Sequence, residues 1–100
     1  MDRAKIEGFR ARMFSYREFR STITTTELIA FARDVGRVQD NSGNWMSTHL
    51  MESPPIAIPS VPAELNRYII GDILRRIEED IDDIEDLLNS LEEIDNAQIN

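Results

Sequence analysis

The chain of 100 residues contains no cysteine and one histidine. Without cysteine, disulfide bonds, thiolate metal sites and cysteine nucleophiles are all excluded. His49 cannot form a histidine metal site alone, and the sequence has no glycine-rich phosphate loop and no HExxH spacing. We therefore predict a non-enzymatic protein without a cofactor or metal, with a small hydrolase around His49 as the enzyme alternative.

The sequence also lacks a long hydrophobic run. No stretch approaches the ~18 apolar residues of a membrane span, and the N-terminal residues have no apolar core of signal-peptide length. We predict a soluble protein of the cytoplasm or of a soluble assembly such as a virion. The formal net charge of −8 disfavours attraction to nucleic acid or anionic membranes, so direct nucleic-acid binding is not expected.

Hydrophobic periodicity predicts an all-α fold with two shorter N-terminal helices, an extended arm and a long, coiled-coil-like C-terminal helix. Thr24 and Glu27 have the spacing of a capping box, which predicts the start of the second helix. These helices would form a bundle or an oligomer. The predicted segments of this single domain are a basic helical hairpin (1–44), a proline-rich arm (45–61), an acidic heptad helix (62–95) and a short tail (96–100).

Two apolar stripes support the helical hairpin, because their residues recur at steps of three and four. The stripe of the first helix consists of Ile6, Phe9, Met13 and Tyr16. The stripe of the second helix consists of Leu28, Phe31, Val35 and Val38. The run of turn-forming residues at 40–44 is expected to end the second helix.

A heptad seam near the C-terminus is the most specific pattern in the chain. Its residues alternate at steps of four and three, and all are Ile or Leu. The seam consists of Ile70, Leu74, Ile77, Ile81, Ile84, Leu88 and Leu91. Such a seam is typical of a helix that packs lengthwise on another helix. We predict self-association through it, because a short chain buries little surface. The alternative is the core-facing side of a monomeric bundle.

Charged residues beside the apolar stripes predict which helices pair. The flank of the first helix is basic, whereas the matching flank of the third helix is acidic. The matched pairs are Arg3 with Glu92, Arg10 with Glu85 and Arg17 with Glu78. Their residue numbers have the same sum in each pair, so all three fit one antiparallel register. We predict that the two helices recognise each other, within one chain or between chains. The alternative is that both flanks are merely solvated.

The predicted arm combines prolines with large apolar side chains. The prolines exclude a long helix, and the apolar content is too high for a solvated linker. We predict that it docks on an apolar surface of its own subunit or of a neighbour. The docking residues are Trp45, Met51, Ile56, Ile58 and Val61.

Two further motifs have functional alternatives. The acidic run 78–86 could be a solvated face, a cation site or a mimic of nucleic-acid phosphates, but it lacks the glycine and the loop context of an EF-hand. Residues 24–38 resemble the first helix of a helix-turn-helix. The segment that follows has no Arg or Lys for phosphate contacts, so DNA binding by this element is not expected.

These patterns predict a protein that acts through helix association, as an oligomeric assembly, adaptor or scaffold component. Small structural proteins of viruses and phages use a comparable arm and long helix, so a virion component is one form of this hypothesis, by analogy. The alternative is an acidic inhibitor or regulator that sequesters a basic surface, such as that of a nucleic-acid-binding protein. The expected partners are a second copy of the chain, a larger protein assembly or a basic protein.

Overall fold

The structure is a computed structural model that describes residues 2–48, 50, 53–61 and 64–99, with side chains described as far as residue 94. Its elements are α1 (Arg3–Glu18), a 3₁₀ turn (Arg20–Thr22), α2 (Thr25–Asp34), β1 (Arg37–Gln39), β2 (Trp45–Ser47) and α3 (Arg67–Ile99). The fold is mostly helical, as the periodicity predicts, but it also contains a two-stranded antiparallel sheet that the all-α prediction lacks.

Helix α2 begins as predicted and ends earlier. Thr24 and Glu27 form the capping box, so that prediction is confirmed. The helix ends at Asp34, two residues before Gly36, whose φ of 107° lies in the left-handed region that glycine adopts readily. Val38, which the apolar pattern assigns to this helix, lies instead in β1 and is 54 % exposed.

Helix α3 begins later and ends later than the heptad pattern predicts. It starts at Arg67 rather than residue 62, and the side-chain oxygen of Asn66 caps its first turn by accepting the backbone N–H of Ile69 at 3.0 Å. It includes residues 96–99, which the predicted division treats as a tail. At 33 residues it accounts for most of the 56 Å length of the molecule.

The turn-forming residues 40–44 connect β1 to β2 rather than simply ending a helix. The carboxylate of Asp40 accepts the backbone N–H groups of Ser42 at 2.9 Å and Asn44 at 3.0 Å. Hydrogen bonding, first from the Ser42 hydroxyl, lowers the pKa of Asp40. Gly43 supplies the positive φ, 89°, that the turn requires. The β-hairpin formed by β1 and β2, called the hairpin below, therefore has a tight local turn at its tip.

The predicted arm (45–61) supplies β2 of this hairpin and adds a third extended segment beside it. The N–H of Trp45 donates to the carbonyl of Ile56 at 2.8 Å, and the N–H of Ile56 donates to the carbonyl of Trp45 at 3.0 Å. One hydrophobic cluster then joins the three helices, β2 and the arm. Hairpin and arm thus belong to the same core as the helices.

Candidate protein-interaction site

The chain covers most of the heptad seam with its own side chains. Five seam residues are buried, with exposed fractions of 6 % or less: Ile70, Leu74, Ile77, Ile81 and Ile84. They belong to the same cluster as Ile6 of α1 and Phe31 of α2. A second chain could reach these five residues only if the molecule opened. This part of the seam is placed as the monomeric alternative expects, which weakens the case for self-association along its whole length.

The C-terminal end of the seam is open. Leu88 is partly buried, while Leu91 is 53 % exposed. Leu87 and Ile94, which flank the seam, are 50 % and 53 % exposed. Leu87, Leu91 and Ile94 are spaced by four and three residues, so they lie along one face of α3. We call these three residues the open stripe.

The open stripe lies beyond the point on α3 where β1 makes its contact through Arg37. Ile73 and Asp80 occupy the same heptad position as Leu87 and Ile94, and both are 2 % exposed. Arg37 of β1 donates to the Asp80 carboxylate at 2.7 Å, within the part of α3 that the hairpin covers. Leu87 and Ile94, one and two heptads beyond Asp80, are 50 % and 53 % exposed.

Three ion pairs join α1 to α3 in the antiparallel register that the charge pattern predicts, and all three are made within one chain. In each, an arginine nitrogen donates to a glutamate oxygen at 3.0 Å. We call these pairs the ladder: Arg3 with Glu92, Arg10 with Glu85 and Arg17 with Glu78. The ladder occupies Glu78, Glu85 and Glu92, so these three glutamates are already paired within the chain.

The ladder shifts the pKa values of Glu92 and Arg10. A hydrogen bond with Arg3, the main favourable contact, lowers the pKa of Glu92. Partial burial of Arg10 opposes its charge, but hydrogen bonds to Asp82 and Glu85 outweigh that effect and raise its pKa. Each group is therefore held more firmly in its charged form than it would be in the unfolded chain.

Asp83 behaves in the opposite way. Although Asp83 is exposed, slight desolvation and then the neighbouring carboxylates of Asp80, Asp86 and Asp82 raise its pKa. It lies one helical turn before Leu87, next to the open stripe. A cation placed beside it would relieve this repulsion.

The structure places the predicted docking residues of the arm in two environments. Trp45, Ile56 and Ile58 are buried in the chain's own core, so they dock within the subunit. Val61 is 48 % exposed. Met51 and His49 lie outside the described residues.

A buried ion pair between Arg37 and Asp80 is the main feature that the sequence patterns do not predict. The Arg37 side chain is 1 % exposed, and its five N–H groups all donate. Two reach Asp80, both at 2.7 Å, and one reaches the Ser53 hydroxyl at 2.6 Å. The other two reach the carbonyls of Trp45, at 2.9 Å, and Pro54, at 2.7 Å. This buried network fastens the hairpin and the arm to α3.

Only a partial sequence signal points to this network. Arg37 and Asp80 are 43 residues apart, so no helical spacing relates them. Asp80 does stand at the heptad position that Ile73 and Leu87 occupy, and an acid on an apolar flank is costly unless a partner satisfies it. That signal identifies Asp80 but not its partner.

Comparisons with protein-family models, curated proteins and solved structures find no match. A proposed function therefore rests on the chain's own residues. Among the described residues, no three His, Cys, Asp or Glu are grouped to hold a metal ion. No helix in the described ranges is long and apolar enough to cross a membrane.

Proposed function

We propose that the chain is a non-enzymatic adaptor that binds an amphipathic helix of another protein along the open stripe. The observation that carries this proposal is the exposure of three large apolar residues in register with a buried seam. Exposed apolar patches are typical of interaction sites. Complexes in which a helix lies in a groove use anchors at the same three and four spacing.

The charges around the stripe favour a basic partner. Asp83 is exposed one helical turn before Leu87, and slight desolvation and the surrounding carboxylates raise its pKa. A lysine or arginine on the partner would stabilise its charged form. Glu85 and Glu92 on the opposite flank already bond to α1. We infer a partner helix with an apolar stripe and a basic flank on the Asp83 side.

Such an adaptor would be a component of a larger assembly, of which a virion is one form. The second candidate is an acidic regulator of a basic protein, and the state of Asp83 favours it as well. The two differ in their main contact. An adaptor depends on the open stripe, whereas a regulator depends mainly on the acidic residues.

Two synthetic helical peptides test the proposal by calorimetry, one with a leucine stripe flanked by lysine and one with the same stripe flanked by glutamate. We expect the peptide with lysine flanks to bind and the peptide with glutamate flanks not to bind. Leu91→Asp should weaken binding about tenfold or more, because burial of one leucine contributes roughly 1.5–3 kcal/mol. Phe14→Asp is the matched control, since Phe14 is an apolar residue on α1 that is 72 % exposed.

Several outcomes would replace the proposal. If Asp83→Asn weakens binding and Leu91→Asp does not, the acidic regulator is the better description. Light scattering at high micromolar concentration would reveal a dimer, and loss of that dimer in Leu91→Asp would place a second copy on the stripe. Binding of neither peptide would contradict the adaptor.

A further inference from the structure

Two cavities adjoin near the start of α3, at the opposite end from the open stripe. One, of about 330 Å³, is lined by charged and polar residues: Arg17, Glu18, Arg20, Ser21 and Arg67. The other, also about 330 Å³, has an apolar wall of Ile23, Leu65 and Ile70 beside the threonines at 24–26. Ser21 lines both. A cationic cavity and a largely apolar cavity therefore meet at one residue.

Each cavity is lined by a residue with an unpaired buried polar atom. Within the part of the chain that the structure describes, these atoms are Arg20 Nε and Thr25 Oγ1. Buried polar atoms in folded proteins nearly always have a hydrogen-bond partner. Their coincidence with the two cavities indicates that the site is completed by something the chain does not supply.

Gly71 allows Arg20 to lie against α3. A Cβ at residue 71 would be 3.0 Å from Nη1 of Arg20 and 3.3 Å from its Cζ, so the guanidinium would have to shift by a few tenths of an ångström. Glycine is unfavourable inside a helix, so its presence here has a local reason in the approach of Arg20. The guanidinium is held beside the cationic cavity by that approach.

The lining of the cationic cavity keeps a net positive charge. Arg17 bonds to Glu78, and Glu18 supplies an opposing charge in the wall. Arg67 lies over the Tyr68 ring at 5.7 Å. Among the described residues, Arg20 and Arg67 make no ion pair. Two guanidinium groups are therefore available to an anion.

We propose that the two cavities form one binding site for a small amphiphilic anion, namely a carboxylate or phosphate group attached to a short apolar chain. Arg20 and Arg67 bind the anionic group, and Ile23 and Leu65 contact the apolar chain. Apolar walls with a few convergent polar groups are the usual composition of small-molecule sites. This site is separate from the open stripe and independent of the adaptor proposal.

Titration monitored by amide NMR tests the site with four probes: octanoate, octyl phosphate, inorganic phosphate and octanol. We expect octanoate or octyl phosphate to shift the amide signals of Ser21 and Thr25 saturably. Whichever of the two binds more tightly identifies the anionic group as a carboxylate or a phosphate. Inorganic phosphate and octanol should each bind about tenfold more weakly, because each occupies one cavity only. Equal affinity for inorganic phosphate, or no saturable shift, overturns the proposal.

Substitutions separate specific binding from general attraction to a basic surface. Arg67→Gln should weaken the binding of octanoate or octyl phosphate about tenfold. Gly71→Ala should also weaken it by displacing Arg20, while the thermal midpoint stays the same or rises because alanine favours the helix. The control Arg75→Gln removes an exposed arginine elsewhere on α3 and should not change binding. An equal loss in this control, or unchanged binding in Arg67→Gln and Gly71→Ala, contradicts the site.

Discussion

The ladder and the buried network both attach other elements to α3, but they lie in different environments. In the ladder, the arginine side chains are 39 to 51 % exposed. In the buried network, Arg37 and Asp80 are 1 % and 3 % exposed. Water solvates a ladder residue that loses its partner. A buried charge that loses its partner has no such compensation.

This difference separates two structural roles. The ladder favours one direction and register of α1 on α3, and apolar burial supplies most of the stability of that contact. The buried network favours the observed placement of the hairpin and the arm, because that placement satisfies all five Arg37 donors. Removing a member of each set should therefore have effects of different size.

The largest expected effect is that of Asp80→Asn. It leaves the buried Arg37 charge without its carboxylate, so we expect a loss of about 3–5 kcal/mol in the free energy of unfolding. Chemical denaturation measures this loss. Asp82→Asn is the matched control, since Asp82 pairs with Arg10 at 55 % exposure and should cost under about 1 kcal/mol. Equal losses in the two variants would remove the distinction between the buried pair and an exposed pair on the same helix.

A smaller effect is expected for the middle pair of the ladder. Arg10→Glu should lower stability by about 1 kcal/mol, and adding Glu85→Arg should restore part of the loss, because a double-mutant cycle isolates the pair term. Added salt should reduce this coupling, since exposed charges are screened beyond ~10 Å at 0.1 M. Strictly additive single effects would show that Arg10 and Glu85 are solvated independently.

The end of the ladder should show a pH dependence. The folded pKa of Glu92 is lowered, so its contribution is present above the unfolded pKa and disappears as pH falls through the folded pKa. Glu92→Gln should therefore lower the thermal midpoint slightly at neutral pH. The difference from wild type should vanish in acid, where Glu92 is protonated as well. A difference that persists at low pH would assign the effect to packing instead.

The smallest effect is expected at Asp83, and it has the opposite sign. Its raised pKa means that the folded state favours the protonated form. Its charge therefore destabilises the fold increasingly as pH rises from the unfolded pKa through the folded pKa. Asp83→Asn should stabilise the chain at neutral pH by about 0.2–0.5 kcal/mol, the scale of like-charge repulsion on a helix. Denaturation at neutral and acidic pH checks this, because the gain should shrink in acid. A loss of stability would mean that Asp83 has a favourable partner.

The hairpin shows how a local signal can be present and still be assigned to the wrong element. Residues 40–44 are turn-forming and contain Gly43, and Val38 and Met46 stand on either side of them. A loop of this length between β-formers is typical of a hairpin. The apolar stripe of α2 continues to Val38 at helical spacing, however, and that pattern favours a longer helix. Gly36 ends the helix first.

The sequence by itself determined that three helices form and in which antiparallel register α1 can pair with α3, but not the ends of α2 and α3. Periodicity, the Thr24 capping box and the ladder register are repeating or local relations, so residue spacing along one chain is enough to reveal them. Tertiary structure decided which part of the seam is covered, because Ile70 to Ile84 are buried in one cluster with residues of α1, α2, β2 and the arm, whereas the open stripe is exposed. It also brought Arg37 to Asp80 across 43 residues. Such contacts depend on the placement of whole elements, which no local spacing specifies.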